Sequence, residues 1–364
     1  MRKLILCLLV FMSVLLIYKS VYPNPRNWYD HYRYLAQSFL NGRTDVPNLP
    51  SFYQDSLEYQ GKKYLPFPPI PAAILAPIVA VGRNTTQQQI SSVIGAINAV
   101  LVFLLIAKFT KSINALLLTI FFAFGAASFW SAIVGTTWYF AHNTALMFFL
   151  LSLIVFKNKK YFLSGLIFSL AVLCRLPVFL GIIFYILELR KERVNLIKFL
   201  STATICIPAM LFYNWLRFGG ILHSGYLEIY RGYSNSNIPF SFFNSIGNSY
   251  LDIRNIPLHI FSFIFMPPLI KDGILAPSPY GMGIIFTTPL LFIALFPPFK
   301  KGLERNLILG SCAIAFLDFL HYAQGWVQFG YRFLLDFLPF LLIILATRFK
   351  PKGGYLILLI ISIV

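Results

Sequence analysis

Residues 23–72 read PNPRNWYDHYRYLAQSFLNGRTDVPNLPSFYQDSLEYQGKKYLPFPPIPA. The stretch is dense in charge, aromatic rings and proline, and it interrupts an otherwise oily chain. One apolar run, Leu4 to Tyr18, precedes it, and a succession of apolar runs follows it. A polar insertion of this length, placed straight after a first hydrophobic helix, is where such a chain can carry chemistry.

Hydrophobic residues make up 58% of the 364 positions and charged residues only 12%, more oil than a soluble core of this size needs. Several runs approach the ~17–20 apolar residues that cross a ~30 Å hydrocarbon layer. The expected class is therefore an all-α, multi-pass membrane protein, one polytopic domain over residues 1–364. The first run follows Arg2 and Lys3 as a signal peptide would. Lys19-Ser20-Val21-Tyr22-Pro23 is a poor cleavage site, so the run reads as a retained helix. The formal net charge is +18. In a soluble chain that would suggest nucleic acid, but here the basic residues fall in short clusters between apolar runs and no nucleic-acid motif is present. Cys7, Cys174, Cys206 and Cys312 lie within apolar runs without metal-ligand spacing and read as buried thiols.

The basic clusters set a topology. Arg2-Lys3, Lys108 to Lys111, Lys157 to Lys160, Arg190 to Arg193, Lys300 to Arg305 and Arg348 to Lys352 are all expected on the cytoplasmic side, in a cell membrane. Candidate helices cover 4–21, 91–107, 113–132, 139–156, 161–174, 176–190, 195–214, 281–298, 306–322, 331–347 and 354–364, about eleven crossings by the length rule. The parity holds only if 68–82, with Pro68, Pro69, Pro71 and Pro77, does not cross, because prolines break the helical ladder. That piece is expected as a re-entrant segment, the rival being a true second crossing. The outer face then collects a first loop over 22–90, the turn at Arg175, and a second loop region over 215–280. Within the first loop, Tyr32, Leu35, Ala36, Phe39 and Leu40 recur at helical spacing and Gly42 follows as a stop. The expectation is an amphipathic surface helix lying apolar side down on the membrane. The last apolar run breaks off at Val364, so the chain is expected to be a fragment or naturally short.

Each candidate for chemistry has a plain structural alternative. Asp30 stands at the outer boundary of the first helix, where a carboxylate can take a proton from a hydroxyl. Alternatively, Asn27 caps the surface helix and Asp30 fills its third position, where negative charge suits the helix dipole. Asp55 and Lys62 lie in the same loop and read more simply as solvated charges. Arg175, between two short apolar runs, suits phosphate binding or is a snorkelling arginine. Arg332 and Asp336 form an i, i+4 pair at the start of an apolar run, expensive in a membrane unless it faces a polar cavity or is a structural ion pair. Asp318 and His321 share a face of the preceding helix. His31 and His142 read as histidines satisfied by local hydrogen bonds, and no histidine spacing suggests zinc. Tyr226 and Arg231 are further candidates to line an outer cavity. No Gly-rich phosphate loop, nucleophile elbow or nucleotide fold is present.

The order of pieces resembles the GT-C polytopic glycosyltransferases that use polyprenyl-phosphate sugars, the protein O-mannosyltransferases and lipid A aminoarabinose transferases among them. The matching stretches are Trp28-Tyr29-Asp30, the surface helix from Tyr34 to Arg43, Tyr59-Gln60-Gly61-Lys62-Lys63-Tyr64, Pro66-Phe67-Pro68-Pro69-Ile70-Pro71-Ala72, Leu173-Cys174-Arg175, Asn214-Trp215-Leu216-Arg217-Phe218-Gly219 and Phe329-Gly330-Tyr331-Arg332-Phe333. The resemblance implies a general base at Asp30 and a donor phosphate held by Arg175 and Arg332, with Asp336, His31, Asp55, Lys62 and Tyr331 supporting. It implies a polyprenyl-phosphate-linked sugar as donor, a hydroxyl of a glycan, lipid or protein as acceptor, and an active site on the outer face. Many relatives carry two adjacent acids where this chain has Asp30-His31, so a divalent metal finds no support in the sequence. The alternative from another class is a transporter or flippase of a lipid-linked or amphipathic substrate, for which paired halves are expected and none is found. A purely structural membrane scaffold is more distant, since it would not need Arg332, Asp336 and Asp318 near one another.

Overall fold

The computed structural model of the protein describes residues 2–22, 28–82, 85–234, 249–271, 273–300, 302–325 and 327–363. Asn27, the expected helix cap, and residues 235–248 of the second loop region lie outside the described residues.

The long helix α1 (Arg2–Val21) leads into α2 (His31–Leu40). Tyr32, Leu35 and Ala36 are buried in the protein, packed in a cluster with Phe67, Leu75 and Phe140. That part of the apolar side of α2 is thus covered by protein, because the Pro-rich segment folds under it, while Leu40 stays exposed. Gly42, with φ +66°, ends the element as expected, its N–H bonded to the Phe39 carbonyl. Strands β1 (Leu57–Tyr59) and β2 (Lys62–Tyr64) pair antiparallel around Gln60-Gly61, both at positive φ, the geometry a tight two-residue hairpin turn requires. Helix α3 (Ile70–Val81) holds the prolines at its first turn and at Pro77. Its 12 residues span about 18 Å, short of the ~30 Å of a hydrocarbon layer. It packs on α2 and α7, and the Ile70 N–H donates to the Leu173 carbonyl at 3.3 Å, which ties the Pro-rich piece to the stretch carrying Arg175.

The membrane body follows: α4 (Gln87–Ile106), α5 (Ser112–Phe124), α6 (Ala126–Val134), α7 (Thr137–Lys157), α8 (Tyr161–Val172), a 3₁₀ turn over Leu176–Gly181, α9 (Ile182–Leu189), α10 (Arg193–Ala203) and α11 (Cys206–Phe218). Next come α12 (Tyr226–Ser234), α13 (Ile256–Ile264), a hairpin of β3 (Leu269–Lys271) and β4 (Ile274–Ala276), β5 (Tyr280–Met282), α14 (Ile284–Thr287), α15 (Phe292–Leu295), α16 (Leu303–Phe319), β6 (Gln328–Gly330), α17 (Leu334–Arg348) and α18 (Gly354–Ile361). Among the described residues the β structure consists of three two-stranded ladders, β5 and β6 pairing in parallel, and one isolated bridge between Leu251 and His321. An expectation of helix alone therefore needs this small correction.

The expected eleven regular crossings are not found. Four described helices are long and apolar enough to cross a membrane, Lys3–Val21, Gln87–Ile106, Thr137–Lys157 and Arg193–Phe218. A fifth counts if Ser112–Phe124 and Ala127–Val134, bent by 55°, are one broken span. These apolar helices are those of a membrane protein. The shortfall has local causes. Gly125 is extended and splits the run 113–132. Thr288, driven out of the helical region by Pro289, has φ −144° and ψ 55° and divides 281–298 into short turns. The run 354–364 yields only eight helical residues.

Helix α17 is the centre of the body. Every side chain from Leu334 to Ala346 is buried, the condition in which a helix apolar on all faces is stable. Phe340 meets Phe149 edge-on at 5.0 Å and the tilted ring of Phe184 at 4.9 Å between centroids. At the crossing of α8 and α10, a Cβ on Gly165 would collide with the Phe199 carbonyl and the Thr202 hydroxyl, so only glycine allows that approach.

Candidate functional site

Helix α8 stops because Leu176-Pro177 disfavours helical backbone before proline, and Arg175 is left extended at φ −146°. Its guanidinium grips the Asp336 carboxylate by two nitrogens, Nη2 to Oδ2 at 2.7 Å and Nε to Oδ2 at 3.1 Å. Nη2 also lies 3.4 Å from Asp318 Oδ1. His142, on α7, hydrogen-bonds the other Asp336 oxygen through Nδ1 at 2.8 Å. Both aspartates are 1% exposed. The result is a buried cluster drawn from four segments.

Asp336 was expected to hold Arg332, and it does not. The i, i+4 geometry requires helix between them, whereas α17 begins only at Leu334 and residues 331–333 turn. Arg332 instead faces aromatic rings, its guanidinium carbon 5.7 Å from the Trp138 centroid, 5.8 Å from Tyr139 and 5.3 Å from Phe333. It is in no ion pair among the described residues, and its Nε is buried without a hydrogen-bond partner. Phe333 also carries Arg175 on its face at 5.4 Å, so the two arginines share one ring.

Asp30 occupies the N-cap position of α2, yet its side chain does not cap the helix. The carboxylate turns instead to α4, where Gln88 Nε2 donates to Oδ1 at 3.0 Å. Oδ2 has no partner, and neither do the neighbouring amide oxygens of Gln87 and Gln88. Asp30 is 2% exposed. Burial pushes its carboxyl up to about 6, against the opposing pull of Gln88 and Arg33. The capping role is therefore not what this carboxylate performs.

His31 ties the loop together. Its Nε2 donates to the Gln54 carbonyl at 2.7 Å, and Nδ1 is hydrogen-bonded to the Thr137 hydroxyl at 2.8 Å. Asp55, next to Gln54, is not a solvated charge. It is half-buried, sits at φ +56°, and accepts from Trp138 Nε1 at 2.8 Å. The same indole contacts Tyr29 at 5.2 Å and His31 at 6.0 Å. Trp138 thus stands between the loop carrying Asp30 and Asp55 and the guanidinium of Arg332. Tyr226 and Tyr322 lie within electrostatic reach of Asp55, the former also of Arg175 and the latter of Arg332. Tyr331 is buried behind the cluster, its hydroxyl hydrogen-bonded to His259 Nδ1 at 2.7 Å. Lys62 is exposed at the hairpin turn. Among the described residues no group of three or more His, Cys, Asp or Glu side chains is placed to hold a metal ion.

Arg175 and Arg332 are therefore brought together on the Phe333 ring, whereas the Asp30 carboxylate turns to Gln88 and is in contact with neither. Gln88, Trp138 and the cluster role of His142 were missed in the sequence. A glutamine at a helix start, a tryptophan and a lone histidine carry no spacing signal, and each meets its partner across more than 50 residues.

No protein-family model matches the chain, and no curated protein matches it. Solved structures of the Archaeoglobus fulgidus oligosaccharyltransferase are similar in outline. The apo form gives a TM-score of 0.46 at 15% identity, over 93% of this chain and 50% of that one. The AglB complex with an inhibitory peptide and a dolichol-phosphate gives 0.47 at 14% identity, over 94% and 50%. The form tethered to an acceptor peptide containing the NVT sequon gives 0.46 at 14%, over 94% and 49%. The present chain spans about half the length of those proteins, and a similarity at this level transfers no residue role.

Proposed function

We propose that the protein is a GT-C-type membrane glycosyltransferase that moves a sugar from a polyprenyl-phosphate donor to an acceptor hydroxyl on the outer face, with inversion. The observation that carries this reading is Asp30: a buried carboxylate with one oxygen unpaired, relieved of helix capping, in the loop where the resembled family keeps its base. Its carboxyl, raised to about 6, suits a group that must be ionised at neutral pH and still accept a proton.

In this reading the acceptor O–H gives its proton to Asp30 Oδ2 as the oxygen attacks the anomeric carbon. The bond from that carbon to the phosphate oxygen breaks, and the electron pair leaves with the lipid phosphate. Arg332, held on Trp138 and free of any carboxylate ion pair among the described residues, meets the charge that develops there. Arg175 comes with its own counter-charges, so its part is to fix the shared Phe333 face and add a partly compensated positive end. Asp336 and His142 hold Arg175 in place, and Asp55 braces Trp138. The surface helix and Pro-rich piece frame the path by which the donor arrives from the bilayer.

The test is transfer itself. Purified protein in lipid is incubated with radiolabelled polyprenyl-phosphate sugars and a membrane acceptor extract. Label should pass to the acceptor with wild type and fall by ~10²–10⁴-fold with Asp30→Asn, the usual loss of a general base. Undiminished transfer by that variant, or movement of the donor between vesicles with no transfer at all, overturns the reading.

A further inference from the structure

The two oxygens of the Asp30 carboxylate are held unequally. The backbone beneath them is fixed within its own loop and helix, the Asp30 N–H donating to the Tyr53 hydroxyl at 3.2 Å and the carbonyl accepting from the Arg33 N–H at 2.9 Å. The side chain is fixed from another element. Gln88 Nε2 donates to Oδ1 at 3.0 Å and to the Trp28 carbonyl at 3.3 Å. Two acceptors on one side require the amide nitrogen, and not its oxygen, to face the loop. Oδ2 is left buried with no hydrogen-bond partner.

Gln88 stands on a firm base. It is buried in the first turn of α4, whose start is closed by a capping box. Thr86 Oγ1 accepts from the Gln89 N–H at 3.2 Å, and Gln89 Oε1 accepts from the Thr86 N–H at 3.1 Å. Gln87 Nε2 donates to the Gly135 carbonyl at 2.9 Å. Gly135, at φ +55°, approaches so closely that a Cβ there would fall 2.8 Å from Gln88 Cα. The turn is thereby pinned to the corner between α6 and α7. The residue type matters too. A lysine or arginine at this place would pair with the carboxylate, pull its titration down and leave a poor base. Glutamine supplies a hydrogen bond and no charge, so it orients the carboxylate without neutralising it.

We propose that Gln88 is the positioning residue of the base: it holds Oδ1 and so presents Oδ2 to the acceptor hydroxyl. The assignment rests on the reading of Asp30 as general base and adds the residue that sets which oxygen takes the proton. Its signature is electrostatic as well as geometric. The hydrogen bond from Gln88 favours the charged carboxylate, so its loss favours the protonated acid. The base is then ionised only at higher pH, and transfer moves to higher pH with it. A brace that merely ties Trp28 to α4 would lower activity and leave the pH profile where it was.

The experiment follows transfer by the full chain in nanodiscs, from radiolabelled polyprenyl-phosphate sugars to a membrane acceptor extract, between about pH 5 and about pH 9. Gln88→Met keeps the length of the side chain and removes the donor. Its profile should move up by about one pH unit, the worth of a hydrogen bond to a charged group. Its plateau rate should fall about tenfold through lost alignment, at an unchanged KM for the donor. Gln88→Asn keeps an amide one carbon too short to reach Oδ1. It should shift the profile the same way, and it decides the matter if Gln88→Met does not fold. In an Asp30→Asn background neither substitution should lower the residual transfer further, since the two residues act as one unit. A profile that stays in place in both variants overturns this inference while the base reading stands. An equal loss with and without the Asp30 carboxylate also overturns it, by assigning Gln88 to bracing alone. No transfer by wild type, or undiminished transfer by Asp30→Asn, overturns the base reading and this inference together.

Discussion

Replacing Asp30 by asparagine should make the protein more stable and less active at once. In the fold its carboxyl titrates at about 6, against an ordinary 3.8. Each pKa unit corresponds to ~1.36 kcal/mol, so keeping the group ionised at neutral pH costs the fold about 3 kcal/mol. The sign follows from proton binding. Between about pH 4 and pH 6 the folded protein binds the proton more tightly than the unfolded chain, so stability falls as the pH rises through that window. The cost is complete above about 6 and absent well below 4. Asparagine removes the charge and keeps an oxygen for Gln88 Nε2. Thermal or denaturant unfolding in detergent should show Asp30→Asn more stable than wild type by up to about 3 kcal/mol at pH 7, the gap closing as the pH is lowered from 6 to 4. Transfer activity, measured alongside, should fall. A capping or bracing aspartate predicts the opposite sign of stability change. A variant less stable than wild type at pH 7, or a gap that does not move with pH, would refute the reasoning.

The cluster around Arg175 should be brittle: Asp336→Asn leaves a buried guanidinium short of its main counter-charge and should cost about 3–5 kcal/mol in unfolding experiments. Because Arg332 does not touch Asp336, a double-mutant cycle of Arg332→Gln and Asp336→Asn should show a smaller coupling than the cycle of Arg175→Gln and Asp336→Asn; equal or larger coupling would show that Arg332 and Asp336 pair after all. Arg332→Gln alone should lower the turnover rate in the transfer assay with little change in donor affinity. In the body, Gly165→Val should separate α8 from α10 and reduce the yield of folded protein in detergent, while Phe340→Ala should destabilise by about 3–5 kcal/mol, both read by thermal unfolding.

Much of the polar insertion was legible because its signals are local. Helical spacing with a closing glycine gave α2, and the gap between two short apolar runs gave the break at Arg175. What failed were inferences that needed a long-range partner or uninterrupted helix. The pairing of Arg332 with Asp336 assumed a helix that begins two residues too late. Asp30 at a helix start suggested capping, yet its partner, Gln88, is 58 residues away. Composition made 281–298 look like a crossing, but one threonine before one proline was enough to divide it.

The burial of α17 on all sides has a consequence for how the protein is made. A helix with no lipid-facing side gains little from the bilayer alone; its stability depends on the socket around it. The elements forming that socket, α4 to α7, α15 and α16, all precede it in the chain. The ribosome therefore finishes the walls before it delivers the post. Moving α17 ahead of α7 by rearranging the gene would send it out with nothing to enclose it, and Asp336 would reach the membrane before either His142 or Arg175 existed to meet it.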